Sequence, residues 1–61
     1  MGRRLKALRV KKDMSRQALA EKAGRSREYI RLLEAGLYDP TVGTLQKIAK
    51  ALGAPLAELL G

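Results

Sequence analysis

The chain has 61 residues, which is enough for one small domain with a modest core. Thirteen lysine and arginine residues against six acidic residues give a formal net charge of +7, so the expected partner is a polyanion. The absence of cysteine and histidine removes disulfide bonds and the commonest metal ligands, and we expect neither a metal nor a cofactor. The apolar residues are mainly leucine and alanine without phenylalanine or tryptophan, which favours an all-α fold.

The first predicted element is an amphipathic helix from Gly2 to Lys12. Leu5 and Leu8 lie on one side of it, and basic residues surround the rest. Asp13 is unfavourable at the negative end of a helix dipole, so the helix is predicted to stop there. No apolar run reaches the length of a membrane span, and the first residues lack the apolar stretch of a signal peptide. A cytoplasmic location is therefore expected.

Two short helices follow, joined by a tight turn. Ser15 is a predicted N-cap for the second helix, and Gly24 is a natural C-terminal cap. Ser26 is the predicted N-cap of the third helix, which we place from Ser26 to Ala35. Because only Arg25 separates Gly24 from Ser26, the two helices are predicted to cross steeply.

Two further helices complete the predicted fold. Thr41 is a predicted N-cap for a fourth helix. Its apolar side chains recur at i, i+3, i+4 and i+7: Leu45, Ile48, Ala49 and Leu52. Gly53 is predicted to end this helix, and Pro55 to begin a last short one. Three leucines of the last helix suit either the core or the seam of a homodimer: Leu56, Leu59 and Leu60. The expected architecture is a compact, all-α, five-helix domain over residues 1–61.

The third helix has the most informative surface. If Ile30 faces the core, helical periodicity places Leu33 and Leu37 on the same side. The exposed side and its flanks then carry five residues: Arg27, Glu28, Arg31, Leu32 and Ala35. The two arginines are four residues apart and repel each other, a cost that an anionic partner would reverse. A solvated charged face is the alternative interpretation.

The spacing of these features resembles the Cro/repressor-type (XRE-like) helix-turn-helix family. The resemblance covers nearly the whole chain and is carried by four segments: 15–36, Pro40–Thr41, Ala51–Gly53 and Glu58–Leu60. It implies a lambda-repressor-like DNA-binding domain that binds double-stranded DNA, usually as a homodimer on a palindromic operator. The function implied is that of a sequence-specific transcriptional regulator, a repressor, whose helix from Ser26 to Ala35 lies in the major groove.

The same resemblance implies roles for individual residues. Arg27 and Glu28 begin the third helix and are expected to contact bases, with Arg31 one turn further on. Arginine suits O6 and N7 of guanine, and a carboxylate can accept from the amino group of cytosine. The DNA backbone is expected to meet six residues of the first three helices and the loop beyond them: Arg9, Arg16, Gln17, Arg25, Ser26 and Tyr38.

Four of these residues carry further interpretations. Arg16 stands where the family usually has glutamine, so a charged clamp would replace an amide contact. Arg9 and Glu34 match positions that pair in family members, and Arg9 either faces a phosphate as well or serves only as a structural ion pair. Tyr38 suits either a phosphate or another subunit, and an exposed turn residue is the simplest interpretation of Arg25.

Three other functions compete with this interpretation. Catalysis is disfavoured because the carboxylates are dispersed and so short a chain is expected to build no cleft. An antitoxin-type or other protein-interaction module could use three apolar residues expected at the surface: Leu32, Leu37 and Tyr38. RNA binding is also compatible with the charge, but the chain has only two aromatic residues on which bases could stack.

Overall fold

The computed structural model describes residues 1–61 as five helices without a strand. They are α1 (Gly2–Lys11), α2 (Arg16–Ala23), α3 (Arg27–Glu34), α4 (Val42–Leu52) and α5 (Leu56–Leu60). The predicted all-α, five-helix fold is confirmed. α3 is shorter at each end than predicted because Ser26 and Ala35 are its cap residues. None of the five helices has the length and apolar character that crossing a membrane requires.

Side-chain hydroxyl groups begin the three central helices. The Oγ of Ser15 accepts a hydrogen bond from the backbone N–H of Ala18 at 3.0 Å. Ser26 does the same for Tyr29 at 3.0 Å. Thr41 begins α4 in the same way, as the sequence predicts for all three caps. Each cap satisfies a backbone donor that would otherwise lack a partner and contributes about 1 kcal/mol.

Left-handed backbone ends α2 and creates the tight turn before α3. Gly24 adopts φ 68° and ψ 34°, a conformation that a Cβ atom disfavours. The N–H of Arg25 then donates to the carbonyl of Ala20 at 2.8 Å, which closes the end of the helix. Because Ser26 already caps α3, the chain passes from one helix to the next within three residues.

The core is a cluster of eleven buried apolar residues to which all five helices contribute. Its members are Leu5, Leu19, Ala20, Ala23, Ile30, Leu33, Leu45, Ile48, Ala49, Leu52 and Leu59. α2 packs against α3 and α4, while α1 packs against α3 and α5. The apolar side predicted for α4 is confirmed, and Thr44 joins it as a buried polar residue that the pattern did not predict.

Two apolar residues had conflicting or open expectations, which the structure decides. Helical periodicity placed Leu37 on the core side of the third helix, which is wrong, whereas the protein-interaction alternative expected it at the surface, and Leu37 is 70% exposed. The helix has ended by then, and Gly36 at φ 73° turns the chain away before Leu37 can join that side. Leu59 was a candidate for either the core or a dimer seam, and it is fully buried in the core, which leaves it no surface for a partner. Leu56 packs against the core, and Leu60 remains 61% exposed.

Candidate nucleic-acid interface

A polar groove lies where the start of α2 meets the first turns of α3. Its volume is about 520 Å³, and its lining includes no hydrophobic residue. The lining residues are Arg9, Ser15, Arg16, Gln17, Arg27, Glu28 and Arg31. Four arginines against one glutamate make the groove strongly positive, which favours an anionic ligand. The groove brings together all three residues predicted to contact bases and three of those predicted to contact the DNA backbone.

The buried side of α3 determines that the charged residues of the groove face solvent. Ile30 and Leu33 are fully buried, so the side of the helix that bears Arg27, Glu28 and Arg31 faces solvent. Buried leucines of α2 and α1 cover the inner side. The charged side is thus held outward by the packing of the core.

Glu34, the last residue of α3, binds two arginines from other helices. The Nε of Arg9 donates to Oε2 of Glu34 at 2.6 Å, so the ion pair expected from the resemblance is present. The Nε of Arg16 donates to Oε1 of the same carboxylate at 2.9 Å. No sequence pattern predicts this second contact, because Arg16 and Glu34 are 18 residues apart on different helices.

Opposing effects act on the Glu34 carboxyl group. Burial raises its pKa, because desolvation disfavours the charged form; its side chain is only 3% exposed. Hydrogen bonds and charge attraction from Arg9 and Arg16 together outweigh that effect and hold the pKa below its ordinary value. Glu34 is therefore ionised at neutral pH and can hold both arginines.

Arg9 and Arg16 differ in how many of their guanidinium nitrogens remain free for a ligand. Arg9 uses Nε and Nη2 on Glu34 and Nη1 on the carbonyl of Met14, and its side chain is only 11% exposed. This geometry favours the structural interpretation of Arg9 over a phosphate contact. Arg16 donates to Glu34 through Nε alone and is 39% exposed, so both of its terminal nitrogens remain available to a ligand.

An ion pair on α3 occupies the exposed side of the helix. The Nε of Arg31 donates to Oε1 of Glu28 at 2.6 Å, and Nη2 donates to Oε2 at 2.7 Å. The hydrogen bond and charge of Arg31 lower the pKa of Glu28, and Glu28 raises that of Arg31. The spacing of Arg27 and Arg31 predicted only repulsion between them, and the pairing of Glu28 with Arg31 at i, i+3 was not predicted. Arg27 takes part in none of the ion pairs, so its guanidinium nitrogens are free for a ligand.

Arg25 and Tyr38 lie outside the groove and help to form a second depression. The Nη2 of Arg25 donates to Oγ1 of Thr44 at 3.1 Å, and its guanidinium lies 5.4 Å from the ring centre of Tyr29. Tyr29 in turn contacts Tyr38 edge to face, with ring centres 5.1 Å apart. Arg25 is thus more than an exposed turn residue, because it ties the turn before α3 to α4. Ser26 lines neither depression, and its hydroxyl serves as a cap.

A short turn between two helices, with a cationic outer side on the second, defines a DNA-binding helix-turn-helix domain. A sequence model described as helix-turn-helix matches residues 5–59 of the chain. The chain belongs to the helix-turn-helix family of DNA-binding transcriptional regulators, and the expected resemblance is confirmed.

Similar proteins come from phage and archaea. The immunity repressor of Bacillus phage phi105 is 38% identical over 61 residues, an alignment that covers 100% of this chain and 42% of the repressor. An uncharacterised HTH-type transcriptional regulator of Archaeoglobus fulgidus is 37% identical over 59 residues, with 97% of this chain and 84% of the relative covered. The chain thus spans less than half the length of the phage repressor and most of the archaeal protein.

A solved structure shares the fold closely. The restriction-modification controller protein C.AhdI from Aeromonas hydrophila superposes with a TM-score of 0.93 at 34% sequence identity. The superposition covers 95% of this chain and 84% of the controller protein. The arrangement of the five helices is therefore that of a known regulator of this family.

Proposed function

We propose that the chain binds double-stranded DNA in a sequence-specific way, with α3 in the major groove, and represses transcription in the cytoplasm. The observation that carries this proposal is the polar groove between α2 and α3. A helix whose inner side is buried and whose outer side bears two arginines and a glutamate matches the dimensions and hydrogen-bonding groups of a major groove. Repression is supported by the similarity to a phage immunity repressor.

The residues of the groove fall into two roles under this proposal. Arg27, Glu28 and Arg31 lie on α3 and serve base recognition, directly or through one another. Arg16 and Gln17, at the start of α2, serve the phosphate backbone, where free N–H groups and the helix dipole add to the positive charge. Arg16 suits this role because Glu34 already fixes its Nε while its terminal nitrogens stay free.

We further propose that two copies bind a palindromic operator. Each copy would then present one α3, and the two half-sites would lie about 34 Å apart, one turn of DNA. Leu60 is the exposed leucine of α5 and remains a candidate for the contact between copies, together with the partly covered Leu56. The buried Leu59 is not part of this proposal.

Selection of bound sequences from a random duplex pool tests the proposal most directly. The expected result is a shared two-fold symmetric motif. Titration of the selected duplex against salt should give a steep decline of log K with log salt, about −0.9 for each phosphate neutralised. Single-stranded RNA at the same salt is the control and should bind more weakly. No shared motif, or equal binding of duplex and RNA, would refute sequence-specific DNA binding.

A further inference from the structure

The ion pair on α3 leaves one edge of the Arg31 guanidinium free. Glu28 engages Nε and Nη2, which form the side edge of the planar group. Nη1 makes no hydrogen bond within the protein, and Nη2 retains a second hydrogen. These two nitrogens form the end edge, whose parallel donors match O6 and N7 of guanine. The side chain is 48% exposed and lines the polar groove, so a base could reach this edge.

The pair is too exposed to be explained by stability of the fold. The side chain of Glu28 is 63% exposed, and pairs of this kind contribute little to the free energy of folding. Its effect lies instead in the orientation of Arg31, a long side chain that otherwise loses rotamer freedom when it binds. A guanidinium already fixed by a carboxylate on its side edge loses less of that freedom.

We propose that Glu28 is a positioning residue, which holds the Arg31 guanidinium with its end edge outward so that α3 recognises guanine through Arg31. This inference rests on the proposed function, in which α3 enters the major groove. Under this proposal the Glu28 carboxylate acts through Arg31, from which both of its oxygens accept hydrogen bonds, rather than on a base. Its negative charge also weakens attraction to phosphates, so the pair favours sites that offer guanine over random DNA.

Base preferences of Glu28→Gln and Arg31→Met, measured by selection from a random duplex pool, test this inference. Glutamine keeps the length of the side chain but loses the charge and the second acceptor oxygen. We expect Glu28→Gln to lower the preference for one guanine in each half-site by about tenfold. Affinity for random DNA should rise slightly. Arg31→Met should lose the same guanine, and the double variant should discriminate no worse than Arg31→Met alone.

Glu21→Gln is the matched control, since it makes the same change of charge on α2 at an exposed residue outside the polar groove. It should leave the guanine preference unchanged. If Glu28→Gln keeps that guanine and instead changes the preference at a neighbouring cytosine, Glu28 contacts a base and the inference is wrong. If the unaltered protein selects no motif, the proposed function fails together with the inference. Thermal unfolding of each variant separates these outcomes from loss of the fold.

Discussion

Arg16, at the start of α2, is held by Glu34, at the end of α3, through a hydrogen bond of 2.9 Å. The same carboxylate binds Arg9 of α1 on its other side, so one buried anion joins three helices. Two of these helices, α2 and α3, supply most of the residues that line the polar groove. The relative position of α2 and α3 at the proposed DNA surface therefore depends on a residue that does not face the DNA.

Replacement of Glu34 by alanine is expected to lower the stability of the fold by about 3 kcal/mol, because Arg9 would remain nearly buried without its partner. In a domain of this size the melting temperature should fall by at least about 12 °C. Circular dichroism during heating measures the change. Glu21→Ala removes an exposed carboxylate without a partner and should melt close to the unaltered protein. If the melting temperature of Glu34→Ala equals that of the unaltered protein, the contacts of Glu34 with Arg9 and Arg16 do not stabilise the fold.

Low pH is expected to lower the free energy of unfolding through the Glu34 carboxyl group. The pKa of Glu34 is lower in the folded state than its ordinary value, so the folded state favours the ionised form. Its contribution is therefore fully present above that ordinary value and is lost as the pH falls through the lower folded pKa. Urea unfolding at pH 7, 5, 4 and 3 should show this decline. In Glu34→Gln the decline should be smaller, and an identical decline would assign acid sensitivity to other groups.

Arg16→Met tests the phosphate role of Arg16. Methionine retains an apolar stem but no donor, and Glu34 keeps its contact with Arg9, so the fold should persist. Affinity should fall by a similar factor on the selected site and on random DNA, and the salt slope should become shallower by about 0.9. Lys22→Met removes a charge at the other end of α2, outside the polar groove, and should change the slope less. Equal slopes for Arg16→Met and the unaltered protein would contradict a phosphate contact.

Arg27→Ala tests base recognition. Arg27 lies in the polar groove without an ion-pair partner, so its donors are available to a base. Its loss should cost about 1–3 kcal/mol of binding free energy on the selected duplex and much less on random DNA. Fluorescence anisotropy with labelled duplexes measures both. Equal losses on the two duplexes would make Arg27 a contact to the DNA backbone.

Gly2→Ala is expected to destabilise the protein, although alanine normally favours a helix over glycine. A Cβ atom at Gly2 would lie 2.5 Å from the carbonyl oxygen of Glu34 and 2.7 Å from that of Leu33, so α1 would have to move away from α3. The expected loss is about 1–3 kcal/mol. Gly43→Ala in α4 is the control, because the nearest atom, Oγ1 of Thr41, is 3.9 Å away. Gly43→Ala should raise the stability by up to about 1 kcal/mol, and a rise for both variants would argue against close packing at Gly2.

The fold was largely predictable because its signals are local. Ser15, Ser26 and Thr41 begin helices through their own hydroxyl groups, and glycine ends α2 and α4 by its freedom to adopt left-handed backbone. Leu37 shows the limit of this reasoning. Helical periodicity placed it with the core, but the periodicity no longer applies once the backbone turns at Gly36.

The candidate site was predictable in its position but not in its internal contacts. The groove gathers Arg27, Glu28 and Arg31 as expected, because their place on α3 follows from the burial of Ile30. The contact of Arg16 with the end of α3 depends on tertiary packing between distant residues, for which one sequence carries no signal. The pairing of Glu28 with Arg31 depends on the rotamers that the two side chains adopt. Helical spacing allows other side-chain contacts on α3 equally well, so the spacing alone does not predict this pair.

The edge-to-face contact of Tyr29 and Tyr38 gives the protein a built-in optical probe. The chain has no tryptophan, and these two rings are its only aromatic side chains, so near-ultraviolet absorption and emission come from this one pair. Their mutual orientation is fixed by the loop after α3 on one side and by the Arg25 guanidinium on the other. A ligand that shifts this loop will therefore change the chiral signal of the tyrosines, and such a change can be followed without a dye or an added label.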